Sequence, residues 1–114
     1  EATMTTRKLE RSEWQRYFDE VAKRLPSMRV GVSILGDDIG VQLETEDSPL
    51  VGMSYDSNEE VFEIATSNIS HRVEKPKEIY VREKGGTLSS VEVVARDDTK
   101  QIVELRPLPS LPAS

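Results

Sequence analysis

The side chains best suited to catalysis lie around His71, the single histidine of this 114-residue chain. A serine, an imidazole and a carboxylate can form a nucleophilic triad, and Ser67 and Ser70 lie close to His71 in the sequence. However, the chain lacks the G-x-S-x-G elbow of many hydrolases, and the neighbouring Arg72 and Glu74 are typical of an ordinary surface segment. A hydrolase that uses His71 is therefore the third of our functional hypotheses.

Metal and cofactor sites find little support in the sequence. The chain has no cysteine and a single histidine, so metal clusters built from these ligands are excluded. The run that begins at Asp56 starts like an EF-hand calcium loop, but Val61 stands where that loop needs glycine and Ser67 where it needs glutamate. We expect no metal site, no cofactor and no catalytic residue, which favours a protein that is not an enzyme.

The overall charge argues against nucleic acid and membrane partners. Lysine and arginine number 15, aspartate and glutamate number 21, and the net charge is -6. Such a charge repels phosphate backbones and anionic lipids unless the basic residues gather on one face. No apolar run reaches the roughly 18 residues of a membrane-spanning helix, and the N-terminal stretch has no hydrophobic signal core. We expect a cytoplasmic protein.

An amphipathic helix is predicted near the N-terminus. Ser12 and Gln15 have the spacing of a capping box, so the helix should begin at Ser12, and Pro26 should end it near Leu25. The apolar residues of this segment recur at helical spacing and form one stripe, namely Trp14, Tyr17, Phe18, Val21, Ala22 and Leu25. A single stripe packs against one partner layer, so we assign its aromatic residues to the core rather than to a binding site.

Beyond the helix, apolar and polar residues alternate with the period of half-buried strands. The predicted strands lie at 28–34, 39–44, 51–55 and 61–65, and three more fill residues 76–106. Gly85-Gly86 and Asp97-Asp98-Thr99 supply the two turns of that last segment.

Residues 66–75 break this alternation. Ile69 and Val73 are four residues apart, which predicts a single helical turn across the sheet edge or the mouth of a barrel. His71 and Arg72 would then lie beside that opening, where they are candidate residues of a ligand pocket.

These patterns predict an α+β fold, in which the N-terminal amphipathic helix packs on a strongly curved antiparallel β meander or a small barrel of about seven strands. The length leaves room for one domain. We assign residues 4–106 to this domain and residues 107–114 to a Pro-rich C-terminal tail. We interpret residues 1–3 as a remnant before a natural start at Met4.

One face of the last three predicted strands is more apolar than a solvated face should be. Tyr80, Val94 and Ile102 fall opposite the core positions, so either the tail or another chain should cover them. They are candidate interface residues, and Leu108 and Leu111 of the tail are further candidates.

The tail also matches a recognition motif. Arg106 and Pro112 delimit a basic PxxP pattern of the kind that SH3 domains bind. Such a pattern arises readily in a Pro-rich segment, and Leu108 and Leu111 could equally fold back over Tyr80 and Ile102. SH3-type recognition of Arg106–Pro112 is therefore the weaker interpretation.

Several short motifs together resemble a known family. They are Arg7-Lys8-Leu9, Ser12-Glu13-Trp14, Tyr17-Phe18-Asp19, Pro76-x-Glu78-Ile79-Tyr80-Val81, Glu92-Val93-Val94 and Gln101-Ile102-Val103-x-Leu105. From Met4 onward the chain resembles a family of small uncharacterised bacterial proteins of about this length, a domain of unknown function. The resemblance implies a bacterial, cytoplasmic protein, and it supplies no catalytic or binding residue.

Three functional hypotheses follow. The leading one is a non-enzymatic interaction or structural module that self-associates as a homo-oligomer, through the face with Tyr80, Val94 and Ile102 or through an open strand edge. The alternative is a small-molecule binding domain with a pocket at the barrel mouth near His71 and Arg72. The hydrolase that uses His71 ranks third.

Overall fold

In the described part of the chain, one α-helix packs against one large antiparallel sheet. The computed structural model describes residues 4–24, 28–36, 40–67, 70–85 and 87–107. Within these ranges the elements are β1 (Met4–Lys8), a 3-10 helix (Arg11–Glu13), α1 (Trp14–Arg24), β2 (Met28–Gly36), β3 (Gly40–Asp56), β4 (Val61–Thr66), β5 (Ser70–Glu74), β6 (Glu78–Lys84), β7 (Thr87–Val94) and β8 (Lys100–Pro107).

The strands form a single open sheet in the order β1-β6-β7-β8-β2-β3-β4-β5. The 17-residue strand β3 joins its two parts, because residues up to Pro49 pair with β2 and residues from Leu50 onward pair with β4. The α+β prediction is confirmed. Of the two predicted forms, the described residues adopt the curved meander, with eight strands and without closure into a barrel.

The core lies between the inner face of the sheet and the apolar face of α1. Trp14 meets Tyr55 edge-on with ring centroids 5.1 Å apart, and Phe18 meets Phe62 in the same way at 5.2 Å. Tyr55 and Phe62 are direct cross-strand partners on β3 and β4. The predicted helical stripe therefore packs where expected, except that Ala22 is exposed; Leu25 lies outside the described residues.

The start of the helix differs from the prediction. Ser12 lies inside the 3-10 helix, and Glu10, which makes no side-chain capping bond, occupies the N-cap position before it. Gln15 does not close a capping box, because its Oε1 instead accepts hydrogen bonds from the backbone N and the hydroxyl of Ser57. The contact ties the helix to the turn after β3, so a tertiary partner has replaced the predicted local one.

Three segments adopt strand where it was not predicted. Residues 45–50 join two predicted strands into β3. Residues 70–74 form β5 rather than a helical turn, and Val73 is buried opposite Phe62. The predicted helical turn was wrong because residues four apart, such as Ile69 and Val73, share one face on a strand as well as on a helix. Ile69 itself lies outside the described residues. β1 had no predicted counterpart, since all five of its residues are exposed and show no apolar alternation.

The turns of the last segment form largely as predicted. Gly85 has φ 59°, in the left-handed region that glycine tolerates, while Gly86 lies outside the described residues. In the turn after β7, the Thr99 backbone N donates to Asp97 Oδ1 at 3.0 Å, and the hydrogen bonds from Thr99 lower the pKa of Asp97. Asp98 adopts φ 69° and pairs with Lys77 at 2.7 Å.

Candidate functional site

The outer face of β6, β7 and β8 carries the candidate interface residues. Burial alternates along each of these strands, so the odd-numbered core residues Ile79, Val81, Val91, Val93, Val103 and Leu105 point inward. The residues between them point outward, and they define the outer face: Glu78, Tyr80, Arg82, Ser90, Glu92, Val94, Lys100, Ile102 and Glu104.

The strand register sorts this outer face into three rows that run across the strands. The first row is Glu78–Val94–Lys100, the second Tyr80–Glu92–Ile102 and the third Arg82–Ser90–Glu104. In every row the middle residue belongs to β7, and the outer two belong to β6 and β8.

The predicted interface residues occupy different environments within these rows. Tyr80 and Ile102 share the second row, and both are half-buried. Val94 lies in the first row, but only 5% of its surface is exposed, although it does not belong to the main core cluster. It therefore offers a partner little surface. Leu108 and Leu111 lie outside the described residues.

A shallow depression of about 460 Å³ opens on the outer face. Its rim includes Tyr80 and Arg82 on one side and Ile102 and Glu104 on the other, with Ser90 between them. On β7 the depression is lined by Ser89 and Ser90, which are small, and by Glu92. The register of β6 and β7 shifts by one residue next to Ser90, as expected for a β-bulge that bends a strand.

The charges of the outer face are unevenly paired. Glu78 binds Lys8 of β1 at 2.9 Å, and this contact lowers the pKa of Glu78. Arg82 makes one long hydrogen bond, from Nε to Thr6 Oγ1 at 3.4 Å. Within the described part of the chain, neither Arg82 nor Glu104 forms an ion pair. Among the described residues, the face thus presents a cation and an anion that are not paired with an opposite charge.

His71 and Arg72 lie on β5, the strand at one end of the sheet order. His71 pairs with the core residue Ile64, and its Nε2 is buried without a hydrogen-bond partner among the described residues. No described serine or carboxylate therefore reaches that nitrogen, and the hydrolase hypothesis gains no geometric support there. Two further depressions, of about 410 and 380 Å³, lie along α1. His71 and Arg72 line neither of these, nor the one on the outer face.

Two other features are absent from the described ranges. No group of three or more His, Asp or Glu side chains there is arranged to hold a metal ion. Among the same residues, no helix has the length and apolar character needed to cross a membrane.

The sequence is similar to a known protein family and to a bacterial protein. Residues 5–114 match the family of unknown function DUF5335. The chain belongs to the DUF5335 family. A relative from Aquifex aeolicus (strain VF5), described as an uncharacterized protein, is 39% identical over 110 residues, which cover 96% of this chain and 99% of the relative. The resemblance inferred from the short motifs is thereby confirmed.

In this DUF5335 chain, a polar cluster that sequence reasoning missed joins β1, α1 and β6. The Tyr17 hydroxyl donates to Glu83 Oε2 at 2.8 Å, and Arg7 pairs with Glu13 at 3.0 Å and with Glu83 at 3.7 Å. Burial and the hydrogen bond to Glu83 raise the pKa of Tyr17, because ionisation would set a second negative charge beside that carboxylate. These contacts fix β1 on the sheet and have a structural role. Tyr17 and Glu83 lie 66 residues apart, so no local pattern indicated the pair.

Proposed function

We propose that this DUF5335 protein is a non-enzymatic interaction module that self-associates through the outer face of β6, β7 and β8. The observation that carries the proposal is the second row, in which the half-buried Tyr80 and Ile102 flank Glu92. Beside this row lie Arg82 and Glu104, two charges that form no ion pair in the described part of the chain. Tyrosine and arginine are enriched at the energetic centres of protein interfaces. In line with the net charge of -6, the proposed setting is the cytoplasm, with neither nucleic acid nor membrane as partner.

A face fits this role better than a strand edge does. β1 and β5 stand at the two ends of the described sheet, and both carry charged side chains: Arg7 and Lys8 on β1, Arg72 and Glu74 on β5. Charged residues on an edge strand disfavour pairing with another chain. The outer face instead carries two half-buried apolar side chains, Tyr80 and Ile102, on either side of Glu92.

The size of the face sets the strength of association. Three strands about 4.8 Å apart give a patch well below the roughly 800 Å² per partner of a standard interface. The net charge of -6 on each chain adds long-range repulsion. We therefore propose a weak, reversible dimer rather than a permanent one.

Sedimentation velocity over a concentration series from about 5 to 500 μM, which brackets the affinity of a small interface, tests the proposal. The unmodified chain should shift toward dimer as concentration rises. Tyr80→Glu should hold the chain monomeric, because it replaces an apolar ring with a carboxylate that would be buried in the interface beside Glu92. Val51→Glu is the matched control: Val51 is 70% exposed and lies on β3, away from the outer face, so it should leave self-association unchanged.

The proposal fails if the unmodified chain stays monomeric across the series. It also fails if Tyr80→Glu and Val51→Glu have the same effect on the sedimentation coefficient. Circular dichroism of both variants excludes unfolding as the cause of a difference.

The second candidate function is small-molecule binding. The predicted pocket at a barrel mouth near His71 and Arg72 has no counterpart in the described residues, where the sheet is open and neither residue lines any of the three depressions. This candidate is instead based on a different place, the depression of about 460 Å³ on the outer face. This volume lies within the range of ligand pockets. A ligand seated between Tyr80 and Ile102 would occupy the proposed interface, so ligand binding and self-association should compete.

A further inference from the structure

The charges of the outer face have a pattern that a second copy of the chain can match. Going along β6, the outward residues are Glu78, Tyr80 and Arg82, and in the same rows β8 carries Lys100, Ile102 and Glu104. Each charge on β6 therefore faces the opposite sign on β8, with an apolar residue between the charges on both strands. β7 separates the two strands by about 9.6 Å, which is twice the spacing of neighbouring strands, and this keeps the complementary charges apart within one chain.

We infer that two copies pack face to face about a twofold axis that runs along β7. This inference rests on the proposed function and specifies its geometry. A half-turn about that axis lays β6 of one copy over β8 of the other and keeps the three rows in register. Arg82 then meets the partner's Glu104, and Tyr80 meets the partner's Ile102. Because the interface is twofold, each contact occurs twice.

A twofold axis that runs across the strands, perpendicular to β7, would match the same charges. It would place Arg82 over the partner's Glu78 and Tyr80 over the partner's Tyr80. Glu78 already binds Lys8 at 2.9 Å and accepts a hydrogen bond from the Tyr80 hydroxyl at 3.4 Å. The axis along β7 sets Glu78 against the partner's Lys100, so both arrangements give every charge an opposite one.

The contacts of β7 separate the two arrangements. The axis along β7 sets Val94 over the partner's Val94, whereas the axis across the strands sets Ser90 over it and leaves a hydroxyl against an apolar side chain. This difference favours the axis along β7.

The chosen axis also carries a cost. Residues of β7 meet their own copies there, so Ser90 faces the partner's Ser90 and Glu92 faces the partner's Glu92. Two carboxylates directly opposite each other repel. In the inferred dimer, the contacts between β6 and β8 are therefore attractive, and the contact between the two Glu92 side chains on β7 is repulsive.

Charge reversal tests the inferred axis. Arg82→Glu alone and Glu104→Arg alone should each weaken self-association by about tenfold or more, because each turns two attractive contacts into repulsive ones. An equimolar mixture of the two variants should recover dimer at the concentration of the unmodified chain, since every contact in the mixed dimer is again between opposite charges. The double variant Arg82→Glu with Glu104→Arg should recover it as a homodimer.

The readout is sedimentation velocity, with one variant labelled by a fluorophore so that mixed dimers are seen directly. As a matched control, Arg82→Glu is mixed with Glu78→Arg. This mixture should recover dimer only if the twofold axis runs across the strands. Monomer for the unmodified chain would overturn the proposed function and this inference together. Dimer for the unmodified chain, without recovery in the mixture with Glu104→Arg, would overturn the axis along β7 alone.

Discussion

Replacing Phe18 with alanine is expected to lower the free energy of unfolding by about 3–5 kcal/mol. Phe18 is fully buried, and its ring packs edge-on against Tyr17 and Phe62 with centroids 5.3 and 5.2 Å away. It is the point at which α1 is held on the sheet, so alanine would leave a cavity between the two layers. Urea unfolding followed by Trp14 fluorescence measures the loss.

Two further variants control this measurement. Phe18→Leu keeps much of the apolar volume and should cost distinctly less than Phe18→Ala. Val51→Ala removes methyl groups from a side chain that is 70% exposed, and it should change the stability by less than about 0.5 kcal/mol. If Phe18→Ala cost no more than Val51→Ala, α1 would not pack on β4 as described.

Replacing Glu92 with glutamine is expected to tighten self-association by about tenfold, which corresponds to about 1.4 kcal/mol. Glu92 lies in the middle of the second row on β7, so in the inferred dimer it faces its own copy across the axis. Glutamine removes two opposed charges, keeps the size of the side chain and adds a hydrogen-bond donor.

The same chemical change at Glu104 should act in the opposite sense. Glu104→Gln removes the partner of Arg82 and should weaken self-association, although both substitutions lower the net negative charge equally. Sedimentation equilibrium of the two variants and the unmodified chain gives both dissociation constants. A shift in the same direction for the two variants would mean that net charge, and not position on the face, governs association.

The parts of the fold that sequence predicted are those with a strong apolar period. Trp14, Tyr17 and Phe18 form a stripe at helical spacing, and they pack as one face because burial of large side chains dominates the local energy. The alternation around Val91 and Val103 likewise identified β7 and β8. The position of Tyr80 and Ile102 on one face followed from the same period.

The parts that sequence could not predict depend on distant partners. β1 has no buried residue of its own, so no local apolar pattern indicates its pairing with β6 or the contacts of Arg7 with Glu13 and Glu83. The capping partner of Gln15 lies 42 residues away at Ser57. Burial of Val94 has a similar origin, since its neighbours Glu78 and Lys100 come from two other strands.

A single introduced cysteine gives the most direct test that the outer face joins two chains. The chain contains no cysteine, so Ser90→Cys would carry its only thiol, on β7 at the inferred axis. A short bis-maleimide that spans about 10 Å matches the distance between sheets packed face to face. Ser90→Cys should yield covalent dimer, whereas Ser54→Cys, on an exposed position of β3, should not. If Ser90→Cys stays monomeric, or if the two variants give equal yields, the outer face does not join two chains.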